Sequence, residues 1–311
     1  MSKDKKKVCY ASVGGQAVME GIMMRSPKKC VLAVRQPDGG IVTEDIKADY
    51  AVNKYKFFKL PIIRGCVSFV TSLLTGYGAL TRSASLAGLE EETKGNKVME
   101  GIIMAISMVL GVIIAMGLFM VLPTAVVWLL TEKLGLELGV FRSLVEGLIR
   151  IGLFIAYVAL VSKMKDIKRL FQYHGAEHKA IFCFEANEEL TVENVRRFSR
   201  LHPRCGTSFI FLVLIISILF GSFITWSNPI LRVAIKILLL PVVAGISFEF
   251  IRYAGRHDNW FTTVISAPGK AMQKLTTAEP EDEMIEVAIV ALTQSLMGDD
   301  GVIDKDCAYT K

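Results

Sequence analysis

Residues 101–130 read GIIMAISMVLGVIIAMGLFMVLPTAVVWLL, thirty positions without one formal charge. About twenty apolar residues suffice for a helix to cross a bilayer. The stretch is longer than one perpendicular crossing needs, so it predicts a tilted span or a kink at Pro123. Three further segments follow. Ser143 to Ser162 carries Glu146 and Arg150. Thr207 to Trp226 is uncharged. Ile230 to Ile251 carries Arg232, Lys236 and Glu249. The links at 131–142 and 227–229 are short.

The whole chain agrees with this local picture. It has 311 residues, of which 52% are hydrophobic and 21% charged, and its mean hydropathy is +0.44. That excludes intrinsic disorder and argues against an ordinary soluble enzyme. The formal charge of +6 is too mild to imply nucleic acid, and no specific DNA contact is expected. In a membrane protein such an excess marks cytoplasmic loops beside anionic lipid head groups. The segment 163–206 holds Lys163, Lys165, Lys168, Arg169, Lys179, Arg196, Arg197, Arg200 and Arg204. The N-terminal segment is also basic. Both termini and this central loop are therefore expected in the cytoplasm, with the protein multi-pass in a membrane. The basic start, Met1 to Tyr10, is followed by no apolar signal-peptide core. The six cysteines form no CxxC pair. All are expected near the reducing side, so no disulfides are expected.

The fold class that follows is mainly α: a polytopic helical membrane protein of about four transmembrane helices, with a cytoplasmic α+β portion. That portion draws on the N-terminal segment, the central loop and the C-terminal tail. In order, the chain divides into a cytoplasmic segment with a β-hairpin (1–56), an amphipathic or membrane-associated helix (57–98), spans one and two (99–162), the basic loop (163–206), spans three and four (207–252), and a cytoplasmic tail (253–311). The hairpin is expected from Cys30 to Arg35 and Ile41 to Ile46, around Pro37-Asp38-Gly39-Gly40. The helix over Phe57 to Leu89 has apolar positions at three- and four-residue spacing. In the tail, Pro280-Glu281-Asp282-Glu283 predicts a helix start whose acids suit the N-terminal dipole. Its apolar surface should dock on the cytoplasmic domain.

One motif carries chemistry. His174-Gly175-Ala176-Glu177-His178 places two imidazoles one helical turn apart, where both can reach one cation. This is the H-x-x-E-H order of inverted zincins, with Glu177 as catalytic base. The chain has four histidines. Chance gives an i, i+4 pair in roughly one such chain in twenty, and with the glutamate in roughly one in several hundred. The alternative is that both rings are solvated or bond phosphate head groups. His202 and Cys205, in His202-Pro203-Arg204-Cys205-Gly206, also have ligand-compatible spacing. The topology brings them to the same cytoplasmic mouth, together with Glu249 and His257. Glu249 is either the third, carboxylate ligand or the partner of Arg252. The expected metal set is thus His174, His178, Glu249, His202 and Cys205 around a divalent ion, zinc first among candidates. Glu146 and Arg150 form an expected intrahelical ion pair. If Arg232 and Lys236 face them, a polar seam results.

Gly14-Gly15-Gln16-Ala17-Val18-Met19-Glu20-Gly21-Ile22-Met23-Met24-Arg25 resembles the opening signature of the YqhQ-like family, domain-of-unknown-function family 1385. Tyr173 to Lys179, His202 to Thr207, and Ala267-Pro268-Gly269 through Leu275-Thr276-Thr277 resemble its other signatures. The resemblance covers nearly the whole chain. It implies a bacterial polytopic membrane protein, sometimes described as a metal-dependent enzyme. Within the opening signature, Gly14-Gly15 reads as a loop or a close backbone approach, and Glu20 as a member of the metal mouth or a partner of Arg25.

Two functions compete on these residues. One is a metal-dependent hydrolase acting on a peptide near the membrane or on a lipid head group. The other is a non-enzymatic adaptor whose basic loop contacts the ribosome or translocon.

Overall fold

The computed structural model describes residues 13–27, 29–47, 55–89, 97–202, 205–224, 228–254, 257 and 259–297. Cys9 and Cys307 lie outside them. The four described cysteines are free thiols, as expected.

Four antiparallel strands form one meander: β1 (Gly14–Val18), β2 (Gly21–Arg25), β3 (Cys30–Arg35) and β4 (Ile41–Asp45). The β3–β4 hairpin pairs Arg35 with Ile41. Its turn uses Gly39 at φ 89°, and Asp38 accepts the Gly40 N–H at 2.9 Å. The β1–β2 hairpin has no counterpart in the sequence expectations. It pairs Val18 with Gly21 across Met19 and Glu20, the latter at φ 49°.

Ten helices are described. α1 (Ile63–Leu86) follows a short 3-10 turn. α2 (Lys97–Met116) runs through a widened π turn at Gly117–Val121 into α3 (Leu122–Glu132). The π turn precedes Pro123, which has no N–H for the carbonyl four residues back. Then come α4 (Arg142–Val161), α5 (Lys165–Glu185), α6 (Val192–Arg196), α7 (Gly206–Ser222), α8 (Pro229–Ala254), α9 (Trp260–Thr276) and α10 (Asp282–Leu296).

Among the described residues three helical runs are long and apolar enough to cross a membrane: Gly101–Glu132, Arg142–Val161 and Pro229–Ala254. The expected third span, Gly206–Ser222, is a shorter apolar helix. It packs between α4, α8 and α9.

The sheet has helices on both faces. Ile22, Met24 and Ala33 point into a core with Tyr173, Ala176 and Ala180 of α5 and Ile285, Ala288 and Leu292 of α10. Val18, Met23, Leu32 and Val34 point the other way, onto Ala79 of α1. The alternation between the two cores is the period-2 geometry of a strand. Each fully buried aliphatic side chain here contributes about 1.5–3 kcal/mol. The tail helix thus docks on the sheet and on α5, as the sequence implies.

α1 joins this domain to the apolar helices. Its C-terminal half covers the sheet, and Ser83 accepts the Met19 N–H at 3.1 Å. Its N-terminal half lies along α8. A Cβ on Gly65 would stand 2.9 Å from the Gly245 Cα, so glycine there lets the two backbones touch. Val70, Leu73 and Leu74 remain more than half exposed.

Candidate metal centre

α5 is buried along most of its second half because it is wedged between the sheet, α6 and α10. That packing fixes His174 and His178 with ring centroids 4.4 Å apart. Gly175 between them is required by contact: a Cβ there would meet the Ala278 carbonyl oxygen at 2.1 Å. The segment after α9 therefore passes directly against the helix.

Both imidazoles are oriented by backbone carbonyls. His174 Nδ1 lies 2.8 Å from the Thr276 oxygen, and His178 Nδ1 lies 2.5 Å from the Arg200 oxygen. A carbonyl only accepts, so each Nδ1 carries the proton and each Nε2 keeps its lone pair. This is the outer-shell arrangement found around metal-ligating histidines. The two carbonyl segments are themselves tied together, because the Arg200 guanidinium donates to the Thr277 carbonyl and, at 2.8 Å, to the Thr277 hydroxyl.

Cys205 completes the group. It caps α7, and its sulfur accepts from the Thr207 hydroxyl at 3.2 Å. His174 Nε2 stands 3.2 Å from that sulfur. Ligand atoms of His174, His178 and Cys205 all lie within 4.8 Å of one another. A tetrahedral zinc with ordinary Zn–N and Zn–S bonds spaces its ligands by roughly 3.3–3.6 Å. The donor set of two nitrogens and a sulfur suits zinc and leaves one coordination position over.

Glu177 sits beside this group and is 5% exposed. Its Oε1 accepts the Gly15 N–H at 3.1 Å. Its Oε2 is buried without a hydrogen-bond partner among the described residues. Burial pushes the carboxyl above its usual range, with His174 acting in the opposite direction. Gly15 allows this approach: a Cβ would lie 2.8 Å from Glu177 Cδ.

The other expected members lie elsewhere. Glu249 accepts two hydrogen bonds from Arg64 of α1, one from Nε at 2.6 Å and one from the terminal Nη2. Among the described residues it is grouped neither with the two histidines nor with Cys205. The carboxylate thus has a long-range partner in Arg64 beside the expected Arg252, whose charge also acts on it. His202 is a neighbour of the group rather than a member of it. Its ring centroid is 5.6 Å from that of His178, and its Nε2 lies 3.5 Å from Glu185. Its backbone exchanges two hydrogen bonds of 2.7 Å with the Gln273 side chain, which fastens α9 to the segment before α7. His257 is exposed and stacks on Tyr253. Glu20 pairs with Arg169 of α5 and accepts from Tyr173 at 3.2 Å. Pro203 and Arg204 lie outside the described residues. Three arginines of the basic loop are already engaged: Arg196 with Asp282, Arg197 with Glu188 and Arg200 with Glu279.

Sequence reasoning found both histidines, the cysteine and the glutamate. It missed the orienting groups, which are backbone atoms of Thr276, Arg200 and Gly15. Such atoms carry no side-chain signature.

No solved structure matches the chain. The uncharacterized protein YqhQ of Bacillus subtilis (strain 168) is 36% identical over 307 residues, covering 95% of each chain. Residues 60–297 match the model of a protein family of unknown function, DUF1385. With the HxxEH helix, the cysteine-capped apolar helix and the α9 tail all inside that match, the chain belongs to the DUF1385 family.

Proposed function

We propose that this protein is a multi-pass membrane protein of the bacterial cell membrane with a cytoplasmic metal centre, and that the centre hydrolyses a peptide or lipid head group at the membrane surface. The observation that carries this is the pairing of both Nδ1 atoms with backbone carbonyls, which leaves two Nε2 lone pairs and one thiol to share a cation. Apolar helical runs support the membrane assignment. The excess of Lys and Arg in 163–206 supports a cytoplasmic domain, with both termini on that side.

The residues divide the work. His174, His178 and Cys205 would hold the ion. A bound zinc supplies Lewis-acid polarisation at its remaining position. Glu177 offers Oε2, buried and without a partner, as the atom that takes and returns a proton. Gly15 fixes the other oxygen and so sets the direction of Oε2. The adaptor alternative is less favoured, because Arg196, Arg197 and Arg200 are already paired with acids of the same chain.

The test is metal analysis of the full-length protein purified in detergent without chelators. One zinc-class ion per chain is expected. His174→Ala and His178→Ala should lose it, and Glu177→Gln should keep it. Clean wild-type protein without stoichiometric metal overturns the reading. Full biological activity of metal-loaded Glu177→Gln overturns the hydrolase while leaving a metal-bound scaffold.

A further inference from the structure

A second polar cluster lies among the apolar helices, near the ends of α4 and α8 opposite the metal centre. Glu146 of α4 is the carboxylate at its centre. Arg150 Nη2 lies 3.2 Å from Glu146 Oε1, and Arg232 Nη2 lies 3.5 Å from Oε2. Lys236 contacts the same carboxylate and donates to the Thr124 hydroxyl at 3.1 Å. Thr124 donates in turn to Glu146 at 2.8 Å. Glu146, Arg150 and Arg232 are 2%, 7% and 2% exposed. The polar seam foreseen between α4 and α8 is therefore present, and none of its three cations snorkels freely outward.

Among the described residues Arg150, Arg232 and Lys236 all bear on the one carboxylate of Glu146. Ionised groups inside a bilayer are costly and persist when paired or in use. Arg150 shows where a partner is wanting. Its Nη1 donates to Ser217 at 3.1 Å, but its Nε is buried without a hydrogen-bond partner among the described residues.

Arg150 and Lys236 also line a cavity of about 160 Å³. Its other walls are hydrocarbon and aromatic, with Phe119, Val213, Leu239 and Val243 among them. Leu240, which lines it too, is 46% exposed, so the cavity opens on the outer flank of the helices. A cavity near 150 Å³ accepts a benzene-sized group. This one therefore takes only the first part of a hydrocarbon chain, with the rest lying along the flank.

We propose that this cavity binds a lipid-like phosphate monoester, with the phosphate on Arg150 and Lys236 and the tail leaving past Leu240. A phosphate monoester carries about −1.5 to −2 near neutral pH, and Arg150 and Lys236, which share Glu146, are the cations it would meet in the cavity. Its oxygens accept from arginine in a planar, forked geometry. A free anion would satisfy the cations but has no use for the apolar walls. The site rests on the membrane-spanning reading of these helices and is independent of the metal centre.

The probe is lysophosphatidic acid with a pyrene-labelled chain, added to full-length protein in a neutral detergent. Saturable binding of one molecule per chain is expected. Arg150→Gln should weaken it by at least about tenfold, and Lys236→Arg, which keeps the charge, should weaken it far less. Val243→Phe, which fills the cavity and leaves the cations in place, should also weaken it. All three variants should elute in size-exclusion chromatography as the wild type does and keep its melting temperature to within a few degrees, which shows that each is folded. Inorganic phosphate should not displace the probe, and the matching neutral monoacylglycerol should not bind. Equal binding by Arg150→Gln, or by the neutral lipid, overturns the proposal in favour of simple hydrophobic partition. Displacement by inorganic phosphate, with Val243→Phe unaffected, overturns it in favour of a free-anion site. Absence of saturable binding to the wild type overturns it outright.

Discussion

His174 Nε2 lies 3.2 Å from the sulfur of Cys205. The two residues come from different helices, α5 and the cap of α7, and each is fixed by its own neighbours. His174 is turned by the Thr276 carbonyl. Cys205 is set by the start of α7 and the Thr207 hydroxyl. A ring nitrogen with a free lone pair facing a thiol is a weak hydrogen bond without an ion and a shared ligand pair with one.

The first prediction uses that difference. Cobalt-substituted protein should show a near-ultraviolet thiolate-to-metal charge-transfer band, because sulfur ligates only as the thiolate. Cys205→Ser should abolish the band and weaken metal binding by at least about tenfold, the lower end expected even for losing an outer-shell partner. A band that survives in Cys205→Ser would place the sulfur outside the coordination sphere.

The second prediction concerns Glu249. Its carboxylate is gripped by Arg64 in a two-point contact that joins α1 to α8. Glu249→Gln should therefore leave metal stoichiometry unchanged. Arg64→Gln and Glu249→Gln should each lower the melting temperature, and together cost less than the sum. The pair is partly exposed, so a coupling of about 1 kcal/mol is expected. Loss of metal in Glu249→Gln would restore the carboxylate to the ligand set.

These two residues show where sequence reasoning reaches and where it stops. His174 and His178 were legible because a helix converts four-residue spacing into shared direction. Cys205 was legible through its place just before an apolar helix. The partner of Glu249 was not, because Arg64 is 185 positions away and local charge spacing can only offer Arg252. The β3–β4 hairpin announced itself by its Asp-Gly turn. The β1–β2 hairpin did not: β2 is buried at four successive positions, so it lacks the polar alternation of a half-exposed strand. α9 was not foreseen, and Pro268 and Gly269, residue types that punctuate helices, lie inside it. Gly269 is there because a Cβ would meet Ser208 at 2.2 Å.

Gly15 gives the third prediction. It is the point where β1 touches the Glu177 carboxylate. In Gly15→Ala the new Cβ would lie 2.8 Å from Glu177 Cδ and 2.9 Å from the Met23 carbonyl oxygen. One of these must move, and the side chain gives way more easily than the strand. The variant should lose about 1–3 kcal/mol of stability, keep its metal, and lose activity nearly as fully as Glu177→Gln. Melting curves and metal analysis on the same sample check this. A Gly15→Ala protein with wild-type activity would show that the direction of Glu177 does not matter.

The fourth prediction is a pH dependence. Cys183, on the buried face of α5, has its thiol pushed up to about 11, chiefly by burial and further by Glu188. The unfolded chain gives up this proton near 9.0. Between those two values the folded protein holds the proton that the unfolded chain has lost. Stability therefore falls as pH rises through that window, and the contribution is fully present below it. Replacing Cys183 with alanine removes the titrating group, so the loss of melting temperature between about pH 8 and about pH 10.5 should be smaller in Cys183→Ala than in the wild type. The same thiol should resist alkylation in the folded protein at about pH 8, where only about one in a thousand copies is ionised. Rapid alkylation of Cys183 before unfolding, or identical pH slopes for the two proteins, would show that α5 is not sealed against the sheet and α10 as described. That seal is the same packing that holds His178, just over one turn away, and His174, about two and a half turns away on the same helix.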